Sequence, residues 1–336
     1  MTYETLMTVI EKTSRVKLRD LRNIAENLYY EAGRSEDAIE HYLRINDLVE
    51  LALTQDVFEG NENDFHNIAV VFAREDDYDI ACRFLEKGLT HHPYSVDLLS
   101  GYLNYGMQCN RGARCVELYT CLAEIRERWN WRAYQFSIDY LTNRLNCDPS
   151  GSIDEIRLLV DDFVKYMPEK EECYLAKANF LSNFKQDKKS NETFLTVLEY
   201  ATSNNCPVHR TPKCDLKLAD YYYDIGKELD KAGKLIERCK RNSVESQLSV
   251  NRNYVYLLSA LCKMSIFYDS MTQYGIKYIQ EDSQEGKLVL GVYDDYHVAL
   301  ADRSDLRARS CRGLIEALIK ETGIPYPYDD GIDNDF

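Results

Sequence analysis

The seven prolines of this sequence, Pro93, Pro149, Pro168, Pro207, Pro212, Pro325 and Pro327, all stand between apolar-periodic segments and never inside one. Proline lacks an amide proton and its ring clashes with the preceding helical turn, so a helical chain must hold it in its connections. The segments themselves carry helical spacing. Leu18, Leu21, Ala25 and Leu28 fall on one face, and so do Ile156, Leu159, Val160 and Phe163. Glycine is scarce as well, at 15 of 336 residues, which leaves few tight turns for a sheet protein. The pattern predicts an all-α chain of short helices and brief loops, running to about residue 281.

One stretch, "YDIACRFLEKGLTHHP" at residues 78–93, gives the helices an order. Ala81, Leu85 and Gly88 lie on one side of a helix, two small residues where another helix comes close and a Leu between them. Pro93 ends it, and Tyr78 sits in the turn before it. Upstream, Phe65, Ile68, Ala69 and Phe72 share the facing side of a preceding helix. This order resembles the tetratricopeptide repeat, in which W-x2-L-G-x2-Y, A-x3-F and P recur within about 34 residues. Phe65 stands for the Trp, Ile68 and Ala69 for Leu-Gly, Phe72 for the Tyr, Ala81 for the Ala, Leu85 for the Phe and Pro93 for the Pro. Each replacement keeps the size class.

Other units follow more loosely. Cys115 lies 34 residues after Ala81 (115 − 81) with Tyr119 four further on, whereas Ala38 to Ala81 is 43 residues and Cys115 to Ile156 is 41. Leu218, Ala219, Tyr222, Gly226 and Ala232 supply a later unit. The resemblance covers roughly residues 17–281 and implies a right-handed superhelix of antiparallel helix pairs, a TPR-like α-solenoid, over residues 1–284. Residues 285–336 read as a less regular cap with an acidic tail. Within it, residues 286–301 fit two short strands, through the alternation of Leu288, Leu290 and Val292, or a bent helix, which the helical context favours. A last helix carries Leu306, Ser310, Leu314 and Ala317 on one side, with Gly323 as its stop.

Charge narrows the partners. With 56 acidic and 41 basic residues, the net charge of −15 repels phosphate backbones, so nucleic acid is a disfavoured partner. The most basic face, Lys12, Arg15, Lys17, Arg19 and Arg22, reads as a solvated side of the N-terminal helices. No stretch approaches the ~20 apolar residues that cross a bilayer, and no secretory segment opens the sequence. The 11 cysteines therefore read as reduced thiols of a cytoplasmic protein.

Chemistry is sparse. Cys206, His209 and Cys214 offer three soft ligands where a structural zinc takes four, and no metal or other cofactor is expected. Cys109, Cys115 and Cys121 are spaced as small apolar residues, and His91 and His92 diverge at a helix end. No phosphate loop or nucleophile elbow occurs. What remains is recognition by a non-enzymatic scaffold that binds a protein or peptide. In the family resembled, the first helix of each pair lines the concave face. That register places His66, Val70 and Arg74 on it, then Ser100, Asn104 and Gln108, then Leu175, Asn179 and Asn183. The amides suit a peptide backbone because each offers a donor and an acceptor. The Lys-Asn clamp of chaperone-tail binders is missing, its places being held by His66 and Val70. A peptide-sensing regulator and an enzyme with a site near the C-terminal segment are the alternatives.

Overall fold

The computed structural model describes residues 2–12, 16–33, 38–54, 58–148, 151–184, 193–225, 227–245, 252–274, 279–300 and 310–328. Arg15, Pro149, Gly226, Leu306 and the acidic tail at 329–336 lie outside these residues. Among the described residues are sixteen α-helices, one 3-10 turn at Arg126–Arg128, and a two-residue parallel ladder that pairs Val16–Lys17 (β1) with Phe58–Glu59 (β2). The chain divides into two compact units, Met1–Met167 and Pro168–Phe336. The boundary expected at 284/285 falls inside the second.

The first unit holds α1 (Tyr3–Lys12), α2 (Leu18–Ala32), α3 (Ala38–Thr54), α4 (Glu62–Arg74), α5 (Tyr78–His91), α6 (Val96–Gly106), α7 (Gly112–Glu124), α8 (Trp131–Cys147) and α9 (Ile153–Tyr166). These helices pack chiefly on near neighbours in the chain. α2 meets α3 and α4, α4 meets α5 and α6, and α6 meets α7 and α8. The first members of the pairs thus form one layer, as in a stack of helical hairpins. Polar caps start the helices. Asn61 and Asp64 form a reciprocal capping box on α4, the Ser95 hydroxyl accepts from the Leu98 amide on α6, and Asn130 accepts from the Ala133 amide on α8.

The core follows the helical periods read from the sequence. Leu18, Leu21, Ala25 and Leu28 are all buried, as are Ile156, Leu159, Val160 and Phe163. In the best repeat, Phe65, Ile68, Ala69, Phe72, Ala81 and Leu85 are buried, and the Phe72 and Phe84 rings stack at 5.4 Å. Gly88 shows why this position is small. A methyl group there would lie 2.8 Å from Cβ of Phe65 and 2.9 Å from Cδ1 of Leu98, so α4 and α6 both close onto it. Helices pack in sequential pairs with small residues at their crossings, as the repeat resemblance implies.

The second unit holds α10 (Glu171–Asn183), α11 (Phe194–Ala201), α12 (Pro212–Asp224), α13 (Leu229–Glu245), α14 (Arg252–Tyr274), α15 (Gln284–Ala299) and α16 (Arg312–Thr322). Here α10 meets α11 and α12, α12 meets α13 and α14, and α14 meets α15. Pro212 departs from the expectation that prolines stay between segments, because it opens α12. The first helical position has no amide bond to lose, so proline is at home there. The stretch open to two readings is the helix α15, which buries Val289, Val292, Tyr293, Tyr296 and Ala299 in a cluster with α14 and α16.

The face expected for the last helix is different. Leu314 is exposed, and Ile315, Leu318 and Ile319 are the buried residues of α16. Gly323 does stop that helix, at φ 69°, with its amide on the Ile319 carbonyl at 2.8 Å.

Candidate functional site

In the first unit the candidate face lies on α4, α6 and α8. His66 is half-buried and sits over Gly101 of α6, its Cδ2 3.4 Å from where a methyl group would stand. Val70 and Asn104 are half-buried, and Arg74 is exposed. Ser100 is buried and its hydroxyl donates to the Asp97 carbonyl at 3.4 Å, so it is held by its own helix. Gln108 is exposed, but in the turn beyond the end of α6 at Gly106.

Charges the sequence reading missed gather beside these. Asn130 at the start of α8 donates to Oδ1 of Asp97 at 2.8 Å, which ties α6 to α8. Burial lowers the pKa of the His66 imidazole; Asp97 opposes this shift and Arg132 adds to it. Burial raises that of the Tyr105 phenol, against the pull of Arg132 and Arg74. Asp139 on α8 accepts two hydrogen bonds from Nε2 of Gln135, at 3.1 and 2.9 Å. Surrounding protein still raises its pKa, although its side chain is open to water. Across three consecutive first helices, His66 thus feels the charges of Asp97 and Arg132, and Tyr105 those of Arg132 and Arg74.

In the second unit, Asn179 and Asn183 stand on α10. Asn183 is exposed, and Leu175 is half-buried. The Asn179 carbonyl accepts a hydrogen bond from Nζ of Lys217 on α12. That lysine is the key to the site. Its ammonium also lies 5.7 Å from the Phe194 ring centroid, and burial lowers its pKa. It forms one wall of a groove of about 570 Å³ between α10, α11 and α12, whose apolar lining includes Phe184, Phe194, Tyr221 and Ile225. Phe194 and Tyr221 meet at 5.7 Å between ring centroids. Ile225 is 70% exposed at the mouth of this groove, which extends its apolar wall to the surface. The polar rim comprises Ser182, Thr193, Asp220 and Asp224. Asp220 accepts from the Tyr254 hydroxyl at 2.5 Å, which pins it to α14. Reading only first helices overlooked Phe194 of α11 and Tyr221 on the next pair, because the groove needs helices from two successive pairs.

Other candidates disperse. Cys206 and Cys214 are buried, the Cys214 thiol lies 3.7 Å from the Glu171 carbonyl, and His209 is exposed. Among the described residues no group of three His, Cys, Asp or Glu side chains could hold a metal ion. Cys115 is buried, and Cys109 and Cys121 are half-buried. Lys17 and Arg19 are exposed, and Arg22 lies 4.0 Å from Glu26. No helix among the described residues is long and apolar enough to cross a membrane.

No protein-family model and no curated protein matches the sequence. Solved structures to which the chain is similar include a monomeric mutant of IFIT1 with m7Gppp-AAAA, at 12% identity and a TM-score of 0.46, over 96% of this chain and 69% of that one. A monomeric IFIT1 mutant with Gppp-AAAA gives the same values. The human IFIT1 dimer with m7Gppp-AAAA is 13% identical with a TM-score of 0.43, over 91% of this chain and 69% of that one.

Proposed function

We propose that this protein is a non-enzymatic binding module that takes an extended peptide segment of a partner protein. The observation that carries the reading is the groove of about 570 Å³ in the second unit, where aromatic rings and an exposed Ile225 lie beside a desolvated lysine and an acidic rim. Such a mixture of apolar wall and few placed polar groups is what a peptide-side-chain pocket needs. An apolar residue of the partner fits between Phe184, Phe194 and Tyr221, and an adjacent Lys or Arg meets Asp224 at the rim. The net charge of −15 favours a basic segment over an acidic one and disfavours a nucleic-acid strand. In the first unit, the amide of Asn104 and the charges of Arg74 and Arg132 offer a second stretch of recognition surface.

Selection from a random displayed-peptide library tests this. The intact protein enriches peptides in which a bulky apolar residue adjoins Lys or Arg. Ile225→Glu abolishes the enrichment, and Asp224→Lys removes the basic preference while keeping the apolar one. Both positions are exposed, so neither change disturbs the core. A library that yields no consensus, or one both variants retain, defeats the proposal.

A further inference from the structure

The first unit holds two free thiols in contact. Cys82 on α5 is fully buried, Cys109 in the turn between α6 and α7 is half-buried, and their Sγ atoms lie 3.7 Å apart. The turn itself is well defined. The Gln108 amide donates to the Tyr105 carbonyl and the Arg111 amide to the Gly106 carbonyl, each at 2.9 Å, while Asn110 takes the left-handed conformation at φ 58°. Arg111 then reaches back to α5, with Nη2 on Oδ1 of Asp79 at 2.6 Å and Nη1 on Oε2 of Glu86 at 3.1 Å. Those two carboxylates flank Cys82 in the chain, so the clamp holds the turn, and Cys109 with it, against the buried thiol. A third thiol, Cys115 of α7, is buried under the end of α6, where a methyl group on Gly106 would lie 2.6 Å from its Sγ.

A disulfide brings its sulfurs to about 2.05 Å, so from 3.7 Å this pair closes by about 1.7 Å, a movement a side chain in a turn makes without shifting a helix. We infer that Cys82 and Cys109 are a site of reversible oxidation, at which a hydroperoxide converts the pair to a disulfide linking α5 to the α6–α7 turn. Cys109 is the thiol that meets the oxidant. Its sulfur, as the thiolate, attacks one oxygen of hydrogen peroxide, the O–O bond breaks, and the released hydroxide takes the Cys109 proton to leave as water. The product is a sulfenic acid beside Cys82. The Cys82 sulfur then displaces the hydroxyl group, the S–S bond forms as the S–O bond breaks, and the Cys82 proton departs in a second water. Two thiols lose two electrons and two protons, and the peroxide gains both. Burial raises the pKa of Cys82, Cys109 adds to that shift and Arg111 opposes it, so Cys82 keeps its proton until the second step.

Non-reducing peptide mapping of the full chain tests this. Reduced protein treated with a small excess of hydrogen peroxide should yield a cross-linked Cys82–Cys109 peptide, lose two of its 11 free thiols, and regain them with dithiothreitol. In concentrated urea the same treatment should scatter Cys109 among the other cysteines and lower the share paired with Cys82 at least roughly threefold, because only the folded chain holds these sulfurs together. Cys109→Ser should abolish the linkage. That position lies in a half-buried turn, and an unchanged far-UV dichroism spectrum certifies the variant's fold. Cys147→Ser, which removes an exposed thiol at the end of α8, should leave the linkage unchanged. An unaltered thiol count, Cys109 paired with Cys115 instead, Cys109 driven to sulfinic acid while Cys82 stays a thiol, or a Cys82 linkage as frequent in urea as in the folded chain would overturn the inference.

Discussion

Two glycines show how a single methyl group is judged by its surroundings. Glycine in a helix interior gives away about 1 kcal/mol relative to alanine, so Gly→Ala stabilises wherever there is room. At Gly233 on α13 nothing stands within 4 Å of the new carbon. Gly233→Ala should therefore raise stability by about 0.5–1 kcal/mol in urea denaturation. At Gly88 the same methyl would press on Phe65 and Leu98 at under 3 Å. Gly88→Ala should lower stability by about 1–3 kcal/mol, because overpacking between α4 and α6 outweighs the helix propensity. If both changes moved the urea midpoint in the same direction, Gly88 would not be the tight crossing described. Gly88 was legible in the sequence because its neighbours Ala81 and Leu85 set the period that makes a small residue meaningful.

At the scale of elements, two polar junctions hold helices together in the second unit. Glu171, the first residue of α10, is buried and accepts from the Lys213 and Cys214 amides at the start of α12, at 3.0 and 3.3 Å. Burial pushes its pKa up to about 7, against the opposing pull of those amides and of Lys213. The folded state then holds a proton that the unfolded chain, at about 4.5, has released. Stability from this group is present at low pH and declines as pH rises from about 4.5 to about 7, by roughly 1–3 kcal/mol. Glu171→Gln should flatten that slope in urea titrations at pH 5 and pH 7.5; an unaltered slope would assign the pH dependence elsewhere.

The other junction is Asp295 on α15, 5% exposed, which accepts from Lys240 of α13 and Lys263 of α14, each at 2.7 Å, and from Ser259 at 2.6 Å. Asp295→Asn removes the carboxylate that Lys240 and Lys263 share, although Lys240 keeps Glu237 at 3.2 Å, and should cost roughly 3 kcal/mol, read as a fall in the melting temperature. Neither junction could be read from sequence. Glu171 lies 43 residues from Cys214 and Asp295 lies 55 from Lys240, and no local period links them. Helix faces such as Ile156, Leu159, Val160 and Phe163 were legible because burial repeats with the turn of the helix itself. The last helix was misread for the same reason. Its apolar residues Leu314, Ile315, Leu318 and Ile319 span two overlapping stripes, and only the cluster with α14 and α15 selects between them.

For the whole molecule, the division at Met167 and Pro168 has a direct consequence. The first unit contains its own buried layer from α2 to α9, so a fragment of residues 1–167 should fold alone. A helical dichroism spectrum with a cooperative thermal transition would bear this out, and a fragment lacking that transition would make the units interdependent. The sequence showed repeats but not this division, because repeat spacing reports how each pair resembles the next rather than how firmly they adhere. The groove and the thiol pair were likewise hidden, since each draws on segments that meet only after packing.

Packing of helices chiefly on near neighbours in the chain also governs how the fold is reached. Contacts between residues close in the chain form without the delay of closing long loops, so assembly should be rapid for a protein of this length. A hairpin can settle on the one before it as soon as it leaves the ribosome, leaving one greasy flank bare until its successor arrives.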